Sequence, residues 1–196
     1  VYGLKPTYGL VPYTGCMMFE MTLDHVGPMC NSTEGVARML SVIAGPDPLD
    51  PRQRGVIPED YVQDYLPALE RGIKGMKIGI IKEGFGQDRW EGFDFPGSEA
   101  VVDEKVMTAV RALENGGAEV AEVSIPMHMS GPHLFKAIIL EGASEFMIRG
   151  AGAGTNWAGY YNTSLIDAFA RGRRARAADM PPSVRAVLLA GQYMQR

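Results

Sequence analysis

Four residues near the start of the chain have side chains that could perform hydrolytic chemistry: Lys5, Cys16, Asp24 and His25. A cysteine nucleophile needs a neighbouring base, and a histidine base is commonly oriented by an aspartate. Neighbouring residues on a strand point to opposite faces, however, so Asp24 and His25 could not both serve one site there. The chain also has no Gly-x-Ser-x-Gly sequence, the turn that exposes a nucleophilic serine in one class of hydrolases. These residue types alone do not predict a complete catalytic group.

The segment from Tyr13 to Asp24, here called the apolar loop, is rich in apolar and sulfur-containing side chains. These are Cys16, Met17, Met18, Phe19, Met21 and Leu23. The residue types favour ordinary core packing, but an apolar wall of this kind could also line a binding pocket. Both interpretations stay open at the level of residue types.

Three other patterns resemble functional motifs but favour structural interpretations. His128 and His133 are five residues apart and lack the further ligands that a metal site needs. The Gly-Ala-Gly-Ala-Gly sequence at 150–154 follows a helical pattern, whereas a dinucleotide-binding glycine motif follows a strand. The four arginines between Arg171 and Arg176 are typical of a solvated helix face or a subunit contact.

Composition and charge narrow the function classes. The 196-residue chain is long enough for one domain with a real core. Its 19 Lys and Arg residues against 23 Asp and Glu residues give a net charge of −4, which argues against a nucleic acid or an anionic membrane as the main partner. No apolar run approaches the roughly 18 residues of a membrane helix. The two cysteines are expected to be reduced thiols in a cytoplasmic protein.

Hydrophobic periodicity predicts the elements of the first half. Ser32 is expected to cap a helix from Thr33 to Ala44, with a buried stripe formed by Val36, Met39, Leu40 and Ile43. Residues 45–60 are expected to form a long surface loop, and residues 76–81 a buried strand. Residues 84–97, which include the aromatic residues Trp90, Phe93 and Phe95, are expected to form a surface excursion.

The second half predicts further helices around one more strand. Ser98 is expected to cap a helix to about Asn115, with Val102, Val106, Val110 and Leu113 on one side, and the glycine pair Gly116-Gly117 is expected to end it. A strand at 118–123 would complete a β-α-β unit with parallel strands. Helical patterns follow at about 133–149, 164–176 and 183–196, the last with a stripe of Val184, Val187, Leu188 and Leu189.

The first half of the chain resembles the amidase signature family, a class of amide hydrolases. The resemblance rests on Tyr2-Gly3-Leu4-Lys5-Pro6-Thr7, Gly9-Leu10-Val11-Pro12 and Thr22-Leu23-Asp24-His25-Val26-Gly27-Pro28. It continues through Ala44-Gly45-Pro46-Asp47, Asp50-Pro51-Arg52-Gln53 and Lys77-Ile78-Gly79-Ile80, and it thins after about Pro126. The resemblance implies an α/β fold, part of a mixed central sheet flanked by helices. We expect one partial domain over 1–196, with pocket-lining strands and loop at 1–30, the β-α-β unit at 76–123 and a helical region at 131–196.

The resemblance also implies where the catalytic groups lie. In this family a Gly/Ser-rich signature with the nucleophilic serine lies just upstream of the Gly-x-Lys-Pro-Thr segment, so the Ser–Ser–Lys triad would precede Val1. We therefore interpret Val1 and Arg196 as cuts in a longer protein and expect the isolated chain to hydrolyse no amide. No catalytic residue, metal or organic cofactor is expected within it. Lys5 matches a structural position, bound to a carboxylate or to backbone carbonyls, and Asp24 matches a position that caps backbone N–H groups.

A substrate pocket follows from the same resemblance. Phe19 and Leu23 match positions that point at the substrate, and Phe135 aligns with an aromatic residue that closes the pocket in members acting on neutral amides. The expected reaction converts a small neutral carboxamide, with an aliphatic or aromatic acyl group, to an acid and ammonia. We expect a cytoplasmic enzyme, able to form a homo-oligomer, with no nucleic-acid or membrane partner.

Two alternatives stay open from the sequence. The first is a non-catalytic α/β module that uses the apolar loop to bind a ligand or a partner. The second is a cysteine hydrolase with Cys16 as its nucleophile, which would require a lowered pKa of the Cys16 thiol and a nearby base.

Overall fold

The computed structural model describes residues 1–17, 19–53, 55–85, 97–151 and 161–196. Most of the aromatic segment at 84–97 and of the glycine-rich run at 150–154 lies outside these residues. Strands and helices follow in the order β1 (Tyr2–Gly3), β2 (Met29–Cys30), α1 (Thr33–Ile43), β3 (Lys77–Ile81), α2 (Ala100–Asn115), β4 (Glu119–Val123), α3 (Gly131–Ser144), α4 (Thr163–Ala175) and α5 (Pro182–Met194). The predicted α/β class is confirmed.

These elements belong to two compact units. The first unit contains Val1–Pro67 and Lys136–Arg196, and the second contains Ala68–Phe135. Among the described residues, β1 pairs antiparallel with β2 in the first unit, and β3 pairs parallel with β4 in the second. No helix of the described ranges is both long enough and apolar enough to cross a membrane.

Helix α1 begins where the sequence predicts. The Ser32 side chain accepts a hydrogen bond from the Gly35 backbone N–H and so satisfies one of the free donors of the first turn. Its buried residues are Val36, Ala37 and Leu40. Met39 is 45% exposed, so its predicted place in the buried stripe is wrong. Successive residues are about 100° apart around a helix, so a buried face that includes Ala37 is centred away from Met39.

Helix α2 begins later than predicted and is more exposed. Its N-cap residue is Glu99, without a side-chain cap, while the Ser98 hydroxyl donates to the Asp103 carboxylate instead. The predicted stripe is not buried, since Val102 is 50% and Val106 is 43% exposed. A two-stranded sheet offers less surface than the apolar side of a 16-residue helix, so this side stays accessible in the second unit.

The predicted β-α-β unit is confirmed. Strands β3 and β4 pair in parallel, from Lys77 opposite Glu119 to Ile81 opposite Val123. Helix α2 ends at the glycine pair, where Gly117 adopts a φ of 93° that other residues rarely take. Strand β3 is not the buried strand that the sequence predicts, because within the described residues it pairs with β4 alone and no residue of β3 is fully buried.

The core of the first unit lies between α3 and α5. Its buried centre consists of Ala143, Met147 and Leu188, here called the core cluster. Met147 belongs to a π-helical turn, Glu145–Arg149, that continues α3. The predicted helices at 133–149, 164–176 and 183–196 therefore all form, although the first ends in this wider turn.

Helix α5 approaches α3 most closely at Gly191. A Cβ atom there would lie 2.0 Å from the Leu140 carbonyl oxygen and 2.8 Å from the Ser144 Cβ atom. The face of α5 that meets α3 therefore carries Leu188 and Gly191. Leu189 lies about 100° around the helix from Leu188 and is 71% exposed, so its predicted place on the buried stripe is wrong.

Replacing Gly191 by alanine should force α3 and α5 apart. We expect Gly191→Ala to lower the free energy of unfolding by about 1–3 kcal/mol, because an added methyl group has no space against a backbone oxygen. The matched control is Gly172→Ala in α4, where a Cβ atom would meet nothing within 4 Å. This control should be neutral or stabilise by about 0.5–1 kcal/mol. Urea unfolding measures both, and equal stability of the two variants would contradict the close contact.

Candidate functional site

The apolar loop is organised by hydrogen bonds to one carboxylate oxygen. Oδ2 of Asp24 accepts from the backbone N–H groups of Phe19 (2.8 Å) and Glu20 (3.1 Å) and from the Tyr13 hydroxyl (2.6 Å). The prediction that Asp24 caps nearby backbone N–H groups is therefore confirmed. Burial raises the pKa of Tyr13, and the hydrogen bond to Asp24 raises it further, so the hydroxyl keeps its proton. This bond joins the first residue of the loop to its last.

A buried ion pair holds the same loop from another segment. Nη2 of Arg52 lies 2.9 Å from Oδ2 of Asp50, and the two side chains are 5% and 2% exposed. Oδ2 of Asp50 also accepts a hydrogen bond from the Tyr13 backbone N–H (2.7 Å). Nη1 of Arg52 donates to the Asp24 carbonyl oxygen (3.0 Å). These two side chains, here called the clasp, therefore hold both ends of the apolar loop.

The guanidinium of Arg52 also packs against two tyrosine rings. Its central carbon lies 4.3 Å from the ring centroid of Tyr13 and 5.4 Å from that of Tyr8. The Tyr8 hydroxyl in turn donates to the Met21 carbonyl oxygen (2.9 Å), in the second half of the loop. A planar guanidinium can stack on rings while it donates hydrogen bonds from its edge. Arg52 therefore contacts both ends of the loop directly and supports Met21 through Tyr8.

Both members of the clasp are held in their charged forms. Burial by itself would raise the pKa of the Asp50 carboxyl, but hydrogen bonds from the Arg52 side chain and from the Arg52 and Tyr13 backbone outweigh it and lower the pKa. Burial would likewise lower the pKa of Arg52, yet the Asp50 carboxylate raises it overall. Each charge is stable in the interior only because the other is present.

The burial of the clasp corrects the prediction for residues 45–60. The surface loop expected there is wrong for its centre, where Asp50 and Gln53 are 4% and 5% exposed. Gln53 Nε2 donates to the carbonyl oxygens of Gly9 (2.7 Å) and Gly45 (2.8 Å), which anchors the segment. One sequence signal could have revealed this, namely the two-residue spacing of Asp50 and Arg52. That spacing lets Oδ1 of Asp50 accept from both the backbone and the side chain of Arg52.

The structure places the predicted pocket residues in different surroundings. Phe19 is partly buried and packs against the core cluster. Leu23 is also partly buried, in a turn where its N–H donates to the Glu20 carbonyl oxygen (3.1 Å). Phe135 lies in α3, is 56% exposed and belongs to the second unit. Phe19 and Leu23 therefore both lie partly buried in the apolar loop, and Phe19 contributes to the core as well.

The polar residues singled out near the start of the chain do not form a catalytic group. Lys5 Nζ donates to the Pro6 carbonyl oxygen (3.1 Å), the kind of backbone contact predicted for it. His25 Nδ1 lies 2.6 Å from the Leu23 carbonyl oxygen. Asp24 and His25 lie outside any strand, so the argument that neighbouring strand residues point to opposite faces does not apply to them. The Asp24 carboxylate, however, is already occupied by hydrogen bonds from the apolar loop.

Cys16 lacks the features of a nucleophile. Both Cys16 and Cys30 are free thiols. Although residue Cys16 is exposed, neighbouring protein atoms desolvate its sulfur and raise the pKa of the thiol. A nucleophilic cysteine requires the opposite shift. The structure therefore favours the other interpretations over a cysteine hydrolase.

The remaining candidate sites have structural surroundings. Arg173 donates to the Ile148 carbonyl oxygen (3.2 Å) and is partly buried, so the predicted solvated face is wrong for this arginine. Within the part of the chain that the structure describes, no group of three or more His, Cys, Asp or Glu side chains could hold a metal ion.

A cavity of about 360 Å³ adjoins the clasp and is lined by Pro46, Asp47, Pro48, Asp50, Gln53, Gly55, Ile57 and Glu59.

Removing the charge of Asp50 should destabilise the protein in a pH-dependent way. At neutral pH we expect Asp50→Asn to lower the free energy of unfolding by about 3 kcal/mol, because it leaves the Arg52 charge buried without a partner. The folded-state pKa of Asp50 is below its ordinary value of 3.8, so its contribution is present above that pH and is lost as the pH falls through the lower value. The difference between wild type and variant should therefore shrink in acid.

Urea unfolding at a series of pH values measures this difference. The matched control is Asp179→Asn, which removes one partner of an exposed pair with Arg176. Its stability should stay within about 0.5 kcal/mol of wild type. An Asp50→Asn variant as stable as wild type at neutral pH would contradict the role of the clasp.

Comparison with known proteins places this arrangement in a family. The amidase family model matches residues 1–195. The enantioselective amidase of Rhodococcus rhodochrous is 37% identical over 193 residues, which are 98% of this chain and 35% of that protein. A glutamyl-tRNA(Gln) amidotransferase subunit from Synechococcus sp. is 40% identical over 149 residues, 76% of this chain and 28% of that protein. The chain spans about a third of the length of these relatives.

Solved structures agree on the fold. The peptide amidase from Stenotrophomonas maltophilia is 22% identical with a TM-score of 0.63, over 95% of this chain and 36% of that one. The corresponding glutamyl-tRNA(Gln) amidotransferase subunit from Thermotoga maritima is 26% identical with a TM-score of 0.61, over 95% of this chain and 38% of that one. Because the family model covers residues 1–195, the chain belongs to the amidase signature family.

Proposed function

We propose that this protein hydrolyses a small neutral carboxamide to the corresponding acid and ammonia. Membership of the amidase signature family supports the reaction class. A relative that is 37% identical over 98% of the chain is named as an enantioselective amidase, which supports amide hydrolysis as the activity. The observation that carries the substrate class is the surface chemistry of the apolar loop.

The two acidic residues of the loop point their charges inward. The Asp24 carboxylate is occupied by the loop's own N–H groups and the Tyr13 hydroxyl. Glu20 is 5% exposed, and its carboxylate accepts hydrogen bonds from the backbone N–H and the hydroxyl of Thr22. The loop therefore offers apolar groups, including parts of Phe19 and Leu23, to a ligand. Such a wall favours an uncharged aliphatic or aromatic acyl group, because a charged group there would lose its hydration.

The catalytic groups are proposed to lie in polypeptide that precedes Val1, as the resemblance to the family implies. There a neutral lysine accepts a proton through a bridging serine, and the nucleophilic serine oxygen attacks the amide carbonyl carbon. The C–N bond breaks, the nitrogen leaves as ammonia with the transferred proton, and water then releases the acid from the serine. This chemistry requires no metal or organic cofactor. The residues of this chain supply the scaffold and part of the pocket wall, to which Phe135 is assigned by the resemblance alone.

A second candidate function follows from the other relatives. Glutamyl-tRNA(Gln) amidotransferase subunits match this chain, one from Prochlorococcus marinus at 34% identity over 98% of it. A protein of that kind would act with partner subunits. The first candidate, the neutral-amide hydrolase, differs from this one because it is proposed to be a free-standing cytoplasmic enzyme, either alone or as a homo-oligomer. The mild net charge of −4 is compatible with either.

Ammonia release tests the proposed activity. We expect the full-length product of the gene that encodes this chain to release ammonia and benzoate from benzamide. The 196-residue chain expressed alone should release neither above a control without protein, because the proposed catalytic serine and lysine lie outside it. The measurement is coupled ammonia detection with chromatography of the acid.

The same assay separates the alternatives. Release of ammonia from glutamine but not from benzamide would favour the amidotransferase function. Activity of the 196-residue chain alone would contradict the proposed location of the triad. A full-length protein that hydrolyses neither substrate would favour the non-catalytic binding module.

A further inference from the structure

The apolar loop depends on side chains for its shape. Its described residues form only turns and irregular backbone, so no sheet or helix ladder fixes the positions of Phe19 and Leu23. A backbone of this kind keeps one conformation only where other groups bind its ends and its exposed donors and acceptors. Arg52 contacts the loop at both of its ends, Tyr13 and Asp24.

We propose that Arg52 is a positioning residue that sets the preference of this enzyme for bulky acyl groups by fixing the apolar loop. The inference rests on the proposed function, because it assigns the loop to the acyl side of that substrate. Arg52 touches no reacting atom in this role. It acts through the wall that Phe19 and Leu23 present.

The contacts of Arg52 determine the loop at both ends. At the start, its guanidinium stacks on the Tyr13 ring, and its partner Asp50 accepts a hydrogen bond from the Tyr13 N–H. At the end, Nη1 donates to the Asp24 carbonyl oxygen. The guanidinium, a rigid planar group, thus sets the distance between the two ends of the loop. The hydrogen bond from Tyr13 to Asp24 joins the same two ends directly.

A lysine at this position could not make the same contacts. Its ammonium would keep the ion pair with Asp50, but it is a compact point charge without a plane to stack on a ring. It also could not donate to Asp50 and to the Asp24 carbonyl oxygen in the fixed fork geometry of arginine. Arg52→Lys therefore preserves the buried charge and removes the part of the clasp that sets the shape of the loop.

The preference between two substrates separates a positioning role from a purely structural one. A variant that merely folds less well has less active enzyme, which lowers kcat/KM for every substrate by the same factor. The ratio of kcat/KM for benzamide to kcat/KM for acetamide cancels that factor. A displaced wall changes the ratio, because the phenyl group contacts the loop and the methyl group of acetamide reaches little of it.

The experiment measures this ratio in the full-length gene product. We expect Arg52→Lys to lower the benzamide-to-acetamide ratio about tenfold, mainly through a higher KM for benzamide, since small misplacements of positioning groups are costly. Leu23→Ala, which truncates the wall itself, should lower the ratio in the same direction. The matched control is Arg38→Lys in the exposed pair with Glu34, which should leave the ratio within about twofold of wild type.

A second variant keeps the test decisive if Arg52→Lys fails to fold. Tyr13→Leu removes the ring on which the guanidinium stacks and the hydrogen bond to Asp24, so it should lower the ratio as well. An unchanged ratio in a folded Arg52→Lys or Tyr13→Leu protein would overturn the positioning role and leave the proposed function intact. Loss of the folded protein in both variants would make the clasp a stability element only and would also overturn it. A wild-type protein that releases no ammonia would instead overturn the proposed function itself.

Discussion

The transfer of a carboxylate and a guanidinium from water into a protein interior costs several kcal/mol per ion, and only close geometry with further hydrogen bonds offsets it. Asp50 and Arg52 meet this condition with side chains that are 2% and 5% exposed. Their geometry requires the Tyr13 backbone, the Tyr13 and Tyr8 rings and the Asp24 carbonyl group to be in place at once. This ion pair therefore fixes the apolar loop relative to the segment around Asp50, and the hydrogen bonds of Gln53 to Gly9 and Gly45 add to the constraint.

The shape of the apolar loop follows from this constraint. With both ends held, Asp24 can turn its carboxylate inward and satisfy the N–H groups of Phe19 and Glu20. The two acidic side chains of the loop are then occupied by internal hydrogen bonds, so this irregular segment presents apolar groups rather than carboxylates. In an amide hydrolase, such a surface suits the acyl side of an uncharged substrate. In the proposed arrangement, this chain supplies the scaffold and the preceding polypeptide supplies the catalytic groups.

The sequence predicted those features of the structure that depend on interactions between residues close together in the chain. Ser32 caps α1 as expected, and the glycine pair ends α2. The capping role of Asp24 followed instead from the resemblance to the family. Burial was less predictable, because it depends on what covers a face. The valines of α2 match a helical stripe, yet the small sheet leaves them accessible. The burial of the clasp was not predicted, because a charged, proline-rich segment indicates a surface position. Only its partners at Tyr13 and Asp24, which are distant in the sequence, show that it is buried.

Hydrogen exchange of the apolar loop tests the central role of the clasp most directly. In the full-length Asp50→Asn variant, the backbone N–H groups of Phe19 and Glu20 should exchange at least about tenfold faster than in wild type, because local opening then costs less. The N–H groups of α1 that exchange through local fraying, and not through global unfolding, should keep their wild-type rates. Unchanged exchange in the loop would contradict the account, and so would an equal acceleration of the loop and of these N–H groups.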